Sequence, residues 1–232
     1  MYRPSLYLAA AAVLGATASW HSASAQSPRI ALVNLPTGNP KFLSTFQEFA
    51  RSEGLELVRN PTSTDSISVV VNVREPVSAG VAAWVRSGGF LITEMSGLRE
   101  AAAAGLLDVK DVSCALVATN TAITFTSTGK SLGLDSGLTD PYRDGEASEF
   151  FCNGELRSAG IEVLGTRPGA TPGADPIPAI LGAKVGAGYV LAYGFDWGDG
   201  FVLNSEQSKR LIHNALSLWR SGSLNGTKRA PR

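Results

Sequence analysis

The fold turns on residues 66–97, SISVVVNVREPVSAGVAAWVRSGGFLITEMSG. Ile67–Val73 is a continuous branched apolar run bounded by polar residues, the pattern of a strand buried on both faces. Pro76 then opens a helix, where proline has no needed N–H to lose, and Val77, Val81, Trp84 and Val85 fall on one face. Gly88-Gly89 ends that helix and delivers the chain into a second apolar run, Phe90–Thr93, which enters a small-residue turn at Ser96-Gly97. Strand, helix and strand joined by short links imply a right-handed crossover and parallel pairing.

The same alternation continues upstream. Arg29–Leu35 (RIALVNL) reads as a strand, and Lys41–Glu53 as a helix with Phe42, Phe46, Phe49 and Ala50 at helical spacing and Gly54 as its stop. Leu55–Asn60 (LELVRN) is a second short strand. The expectation is an α/β, doubly wound, mostly parallel sheet.

Downstream the pattern is less regular. Arg99–Val109 (REAAAAGLLDV) reads as a short helix, and Cys114–Ser127 has strand-like alternation. Residues 133–154 are turn-rich, and Asp135–Glu146 (DSGLTDPYRDGE) is expected as a surface excursion tied down through Cys152. Gly160–Arg167 and Pro178–Val185 read as strands, and Ala183–Phe195 (AKVGAGYVLAYGF) as an antiparallel hairpin about Gly186-Ala187-Gly188. A closing helix runs from about Ser205 to Arg220, with Asn204 as N-cap and Gln207 completing a capping-box-like arrangement. Its apolar face is Leu211, Ile212, Ala215, Leu216 and Trp219.

The ends and the composition bound the function. Arg3, the apolar run Leu6–Thr17 and the small residues Ala23–Ala25 follow the pattern of a secretory signal cleaved after Ala25. That run falls short of the roughly 20 apolar residues that span a bilayer. The expectation is an exported protein, periplasmic or secreted, with residues 1–25 as signal, 26–221 as one domain and 222–232 as a tail. With 20 basic and 20 acidic residues there is no basic stripe beyond the terminal KRAPR, so nucleic acid is not an expected partner. Two cysteines, Cys114 and Cys152, are most simply a disulfide in an oxidising compartment, with a reactive thiol as the rival.

In open parallel sheets, ligands sit beyond the carboxyl ends of the strands. Collected there are Thr37 and Asn39, then Asn72, Arg74 and Glu75, then Glu94 and Ser96, then Asp196, Trp197 and Asp199. Carboxylates, amides, one arginine and one tryptophan could hold a polar ligand such as a sugar, with Trp197 as a stacking face. Glu94, Asp196 and Asp199 could instead hold a divalent cation, since hard cations take oxygen ligands. Equally, strand ends are polar in any sheet and such residues cap turns. Nucleophilic catalysis by Ser96 would need a base within reach. After residue 25 the chain has one histidine, His213, which reads as a solvated residue of the last helix. Thr126–Ser131 (TSTGKS) ends like a phosphate loop, but Thr124 stands where that motif requires glycine. Asn225-Gly-Thr is a glycosylation sequon only in a host that glycosylates.

Three stretches, VAAWVRSGGFLITEMSG, GAGYVLAYGFDWGD and NSEQSKRLIHNALSLW, resemble the class I glutamine amidotransferase-like superfamily. The likeness is strongest to its exported, non-amidotransferase (ThuA-like) branches. It implies a flavodoxin-like α/β fold and leaves about Leu106–Thr171 unmatched. In catalytic members of that family a cysteine closes the strand equivalent to FLITE, and a Phe-His-Pro-Glu run follows the late strand. Matched onto this chain, Met95 stands at the cysteine, Asp196 at the histidine and Gly198 at the glutamate. A thioether cannot form an acyl-enzyme, so the resemblance implies an exported domain without amidotransferase activity. Such a domain would bind a small polar ligand or an envelope protein partner and would need no cofactor. The alternatives are a metal-assisted hydrolase using Glu94, Asp196 and Asp199, and a structural or assembly module.

Overall fold

Along each central strand, successive side chains enter two different apolar layers. Ile30 and Leu32, Val69 and Val71, Phe90 and Ile92, and Tyr189 and Leu191 belong to one, while Ala31, Val70, Leu91 and Val190 belong to the other. This is the period-2 signature of a sheet covered on both faces. A computed structural model describes residues 28–33, 39–73, 76–117, 122–143, 149–156, 160–169 and 173–222. In chain order the elements are β1 (Arg29–Val33), α1 (Pro40–Ser52), β2 (Glu56–Arg59), β3 (Ile67–Val73), α2 (Ala79–Arg86), β4 (Phe90–Glu94), α3 (Gly97–Ala103) and β5 (Val109–Val117). They continue with β6 (Thr124–Phe125), α4 (Ser127–Ser131), β7 (Glu149–Leu156), β8 (Ile161–Arg167), β9 (Ile177–Val185), β10 (Gly188–Tyr193), α5 (Gly198–Val202) and α6 (Glu206–Arg220).

The main sheet has eight strands in the order β2-β1-β3-β4-β10-β9-β8-β6. β2, β1, β3, β4 and β10 pair in parallel, whereas β9, β8 and β6 add on antiparallel. The expected α/β, flavodoxin-like, doubly wound sheet with a late antiparallel hairpin is the observed fold. α1, α5 and α6 cover one face and α2 and α3 the other. The phenylalanine stripe of α1 finds its partners in α5: Phe46 lies 5.2 Å from Phe201 and 6.3 Å from Trp197 between ring centroids. β5 and β7 form a separate antiparallel ribbon in which Cys114 stands directly opposite Cys152.

Several local expectations change. Pro76 does not open α2: the first turn is capped by Ser78, whose hydroxyl accepts from Val81 N at 3.2 Å, and Pro76 lies outside the helix. Serine can satisfy a first-turn N–H that proline cannot. Likewise the N-cap of α6 is Ser205, not Asn204, which takes a left-handed φ of +60°. Gln207 accepts from Thr139 N at 2.9 Å in place of completing a capping box. Within the expected surface excursion, residues 135–143 are mostly exposed, but Tyr142 is fully buried and anchors the segment, as does Leu134 just before it. Tyr142 bridges Ile123, and Asn214 of α6 donates to the carbonyls of Leu134 and Ser136 at 3.0 and 2.9 Å. Among the described residues no helix is long and apolar enough to cross a membrane. The proposed signal, residues 1–25, the segment 223–232 and Arg74 lie outside the described residues.

Candidate functional site

The chain winds outward from β1 in both directions, through α1 to β2 on one side and through β3 to β4 on the other. The topological switch point therefore lies between the carboxyl ends of β1 and β3, where open α/β sheets bind ligands. Those ends lead into residues 34–38 and 74–75, which lie outside the described residues and include Thr37, Arg74 and Glu75. Asn72 sits in β3, in register with Thr93 of β4.

The next tips, those of β4 and β10, are locked to one another. Met95 N donates to Phe195 O at 3.4 Å, and Trp197 Nε1 donates to Thr93 O at 3.3 Å. Between β4 and α3 the chain turns on Met95, whose φ of +47° is in the left-handed region that side chains avoid. A sharp strained strand-to-helix turn of this kind presents the nucleophile in enzymes that carry one there. Here the strained residue is Met95, which is 5 % exposed, and Ser96 follows with ordinary helical angles as the N-cap of α3.

Beneath the elbow lie two carboxylates, Glu94 with no exposed surface and Asp196 with 2 %. Gly198 is packed so closely on Glu94 that a Cβ there would stand 2.5 Å from Oε2. Asp196 Oδ1 accepts from Asp199 N at 3.0 Å, fixing the first turn of α5. Asn39 has a similar duty on α1: its side-chain oxygen accepts from Lys41 N at 3.1 Å and Phe42 N at 3.4 Å. Turn capping thus accounts for part of the polarity at the strand ends. Trp197 is fully buried among Phe46 and Phe201. Its ring has no open face, so stacking of a sugar on this indole is ruled out. Asp199 is exposed on α5 while Glu94 and Asp196 are enclosed, and among the described residues no three His, Cys, Asp or Glu side chains converge as a metal-ligand set.

His213 keeps the partial exposure its helix position suggested, but it is also paired. Its Nδ1 donates to Glu53 Oε1 at 2.7 Å, and its Nε2 lies 3.4 Å from Ser217 Oγ. This Glu–His–Ser chain has the connectivity of a hydrolytic triad, yet it sits at the C-terminal end of α1, away from the strand tips. Ser217 lies within α6, whose backbone N–H groups are committed to helix bonds, so the helix offers its hydroxyl no oxyanion donors. Arg220 also holds Glu53, donating to Oε2 at 2.7 Å and to the backbone oxygen at 2.6 Å. Burial pushes the Glu53 pKa up, but the hydrogen bonds and charges of Arg220 and His213 outweigh it and leave the pKa below the ordinary 4.5. The group is a clamp joining the ends of α1 and α6. It spans 160 residues of sequence, and no local motif could have revealed it.

No protein-family profile matches this sequence, and no characterised protein matches it by sequence. Its fold is shared with solved structures. A protein described as ThuA-like, from Bacteroides uniformis ATCC 8492, superposes with a TM-score of 0.59 at 9% identity, covering 87% of this chain and 96% of that one. A β-galactosidase from Rahnella sp. R3 has a TM-score of 0.53 at 14% identity, over 84% of this chain and 31% of the enzyme. The carbohydrate deacetylase Agd3 has a TM-score of 0.52 at 7% identity, over 83% of this chain and 32% of that protein. This chain therefore spans about a third of the two larger proteins, and the likeness is one of fold.

Proposed function

We propose that this chain is an exported amidotransferase-like domain that has no acyl-transfer chemistry and binds a small polar ligand or an envelope protein at the carboxyl ends of its sheet. One observation carries the reading: the strained elbow after β4 is retained, yet the residue on it is a buried methionine. A thioether has no proton to lose and cannot serve as the acyl-forming nucleophile. Asp196, at the position matched to the base, is occupied in capping α5 and cannot relay protons as an imidazole does.

The ligand surface in this reading is the crevice at the β1–β3 switch point. Among the described residues Asn39, Ser96 and Asp199 stand at these strand ends, with Glu94 and Asp196 as buried support. Saccharides are the first class to test, because a β-galactosidase and a carbohydrate deacetylase carry the same fold. Export rests on the leader pattern of residues 1–25 and is supported by the facing positions of Cys114 and Cys152, which suit a cross-strand disulfide.

A thermal-shift panel of saccharides, other small polar compounds and divalent cations on the purified protein tests the reading, run beside an assay of glutamine and ester hydrolysis. The expected result is saturable stabilisation by one ligand class, diminished in Asp199→Ala and Arg74→Ala, with no turnover. Hydrolysis that disappears in Glu94→Gln would overturn the inactive reading. A panel without any shift, together with no captured envelope partner, would leave an assembly module as the function.

A further inference from the structure

The open indoles of this fold are at the other edge of the sheet. A cavity of about 660 Å³ opens where β3 and β4 begin and β9 turns into β10. That volume is within the roughly 300–1,000 Å³ of small-molecule sites. Trp84 and Trp219 both line it and both are half-buried. They come from opposite layers: Trp84 packs with the α2–α3 side of the sheet and Trp219 with the α6 side. The benzo ring of Trp84 is seated on Gly89, where a Cβ would come within 2.4 Å of it, so only glycine allows the indole to occupy this position.

The polar lining is one-signed. It consists of Lys184, Ser68, Ser87 and backbone, with no carboxylate among the lining residues. Lys184 makes no ion pair among the described residues, and its side chain is exposed to the cavity. An unpaired ammonium beside two indoles selects for negative charge on a body with a flat, weakly polar face. We propose that this cavity is a binding site for a small ring-bearing carboxylate, whose ring lies against Trp84 and Trp219 while its carboxylate pairs with Lys184 and accepts from Ser68. The ring can be aromatic or a pyranose, since both present a face that packs on indole. The site is independent of the strand-tip crevice and does not rest on the reading of that crevice.

The experiment is a titration of the purified protein followed by tryptophan fluorescence and by calorimetry, using phenylacetate, glucuronate, acetate and benzyl alcohol. One of the two ring carboxylates is expected to bind saturably, and which one it is separates the aromatic from the sugar source. Acetate, which loses the burial of the ring on indole, and benzyl alcohol, which loses the charge-assisted contact, should each bind roughly tenfold or more weakly. Lys184→Gln should weaken the ring carboxylate by about the same factor while leaving the melting temperature of the free protein unchanged. Trp219→Phe should weaken it as well. Failure of both ring carboxylates to saturate, binding of acetate as tight as theirs, or a Lys184→Gln protein that binds as the parent does, each overturns the proposal.

Discussion

Replacing Gly198 with alanine tests whether the tips of β4 and β10 are as tightly built as their distances imply. A Cβ at residue 198 would stand 2.5 Å from Glu94 Oε2 and 3.3 Å from Glu94 Cδ and from Phe42 Cε2. A carboxylate is the mobile end of a side chain, and at a surface it would swing aside. Glu94 has no exposed surface, and Phe42 is stacked on Phe46 with ring centroids 5.6 Å apart. Relief therefore requires α5 or the β4 tip to move. Overpacking of this kind costs about 1–3 kcal/mol. Alanine recovers at most about 1 kcal/mol of helix propensity, and less at the first residue of a helix. The balance is a loss of roughly 1–2 kcal/mol, or a fall in Tm of about 2–8 °C for a domain of this size. Urea and thermal unfolding of the parent, Gly198→Ala, Glu94→Asp and the double variant measure it. Aspartate withdraws the carboxylate by one methylene, so Gly198→Ala should cost at least about 0.5 kcal/mol less in that background. A Gly198→Ala protein as stable as its parent, or strictly additive losses, would refute the reasoning.

Tyr193 is fully buried and its hydroxyl has no hydrogen-bond partner among the described residues, while burial drives its pKa well above the ordinary phenol value. Tyr193→Phe should therefore raise stability by about 1 kcal/mol, since it removes an unmatched polar group; a loss on urea unfolding would contradict this. The lowered pKa of Glu53 means that its clamp contributes stability above pH 4.5, and that this contribution is lost as pH falls through the lower folded-state value. Arg220→Gln removes the guanidinium that holds the Glu53 carboxylate ionised, so acid unfolding should begin at a higher pH than in the parent; an unchanged acid midpoint would show that the clamp carries no weight. If Cys114 and Cys152 are bonded, the unreduced, denatured protein should yield no titratable thiol, and Cys152→Ser should lose about 3–4 kcal/mol by the chain-entropy model. Two reactive thiols would exclude the bond.

What could be read ahead of the structure was what local chemistry determines. The runs Ile67–Val73 and Phe90–Glu94 alternate between two apolar layers, and no polar side chain interrupts the layers at their centre, so the sequence admits only strands covered on both faces. Cap positions were misplaced wherever two neighbouring residues compete for the same N–H groups, as Pro76 with Ser78 and Asn204 with Ser205. The anchoring of segment 133–143 was illegible for a different reason: its composition is that of a loop, and the residues that tie it to α6, Gln207 and Asn214, lie some 70–80 residues later.

Trp197 shows the same limit at the site itself. In a polar run, FDWGDG, a tryptophan suggests an exposed stacking face. What buries it is the phenylalanine stripe of α1, which was legible as a stripe while its partner was not. The consequence reaches function. Trp197, Asn39 and Asp196 are engaged in packing and capping, so the proposed binding at the strand tips would rest on other residues, the exposed Asp199 first among the described ones. The elbow at Met95 then has a structural part: its left-handed turn brings the backbone of β4 to Phe195 O, while Glu94 is seated on Gly198, and together these contacts lock the tips of β4 and β10 to one another.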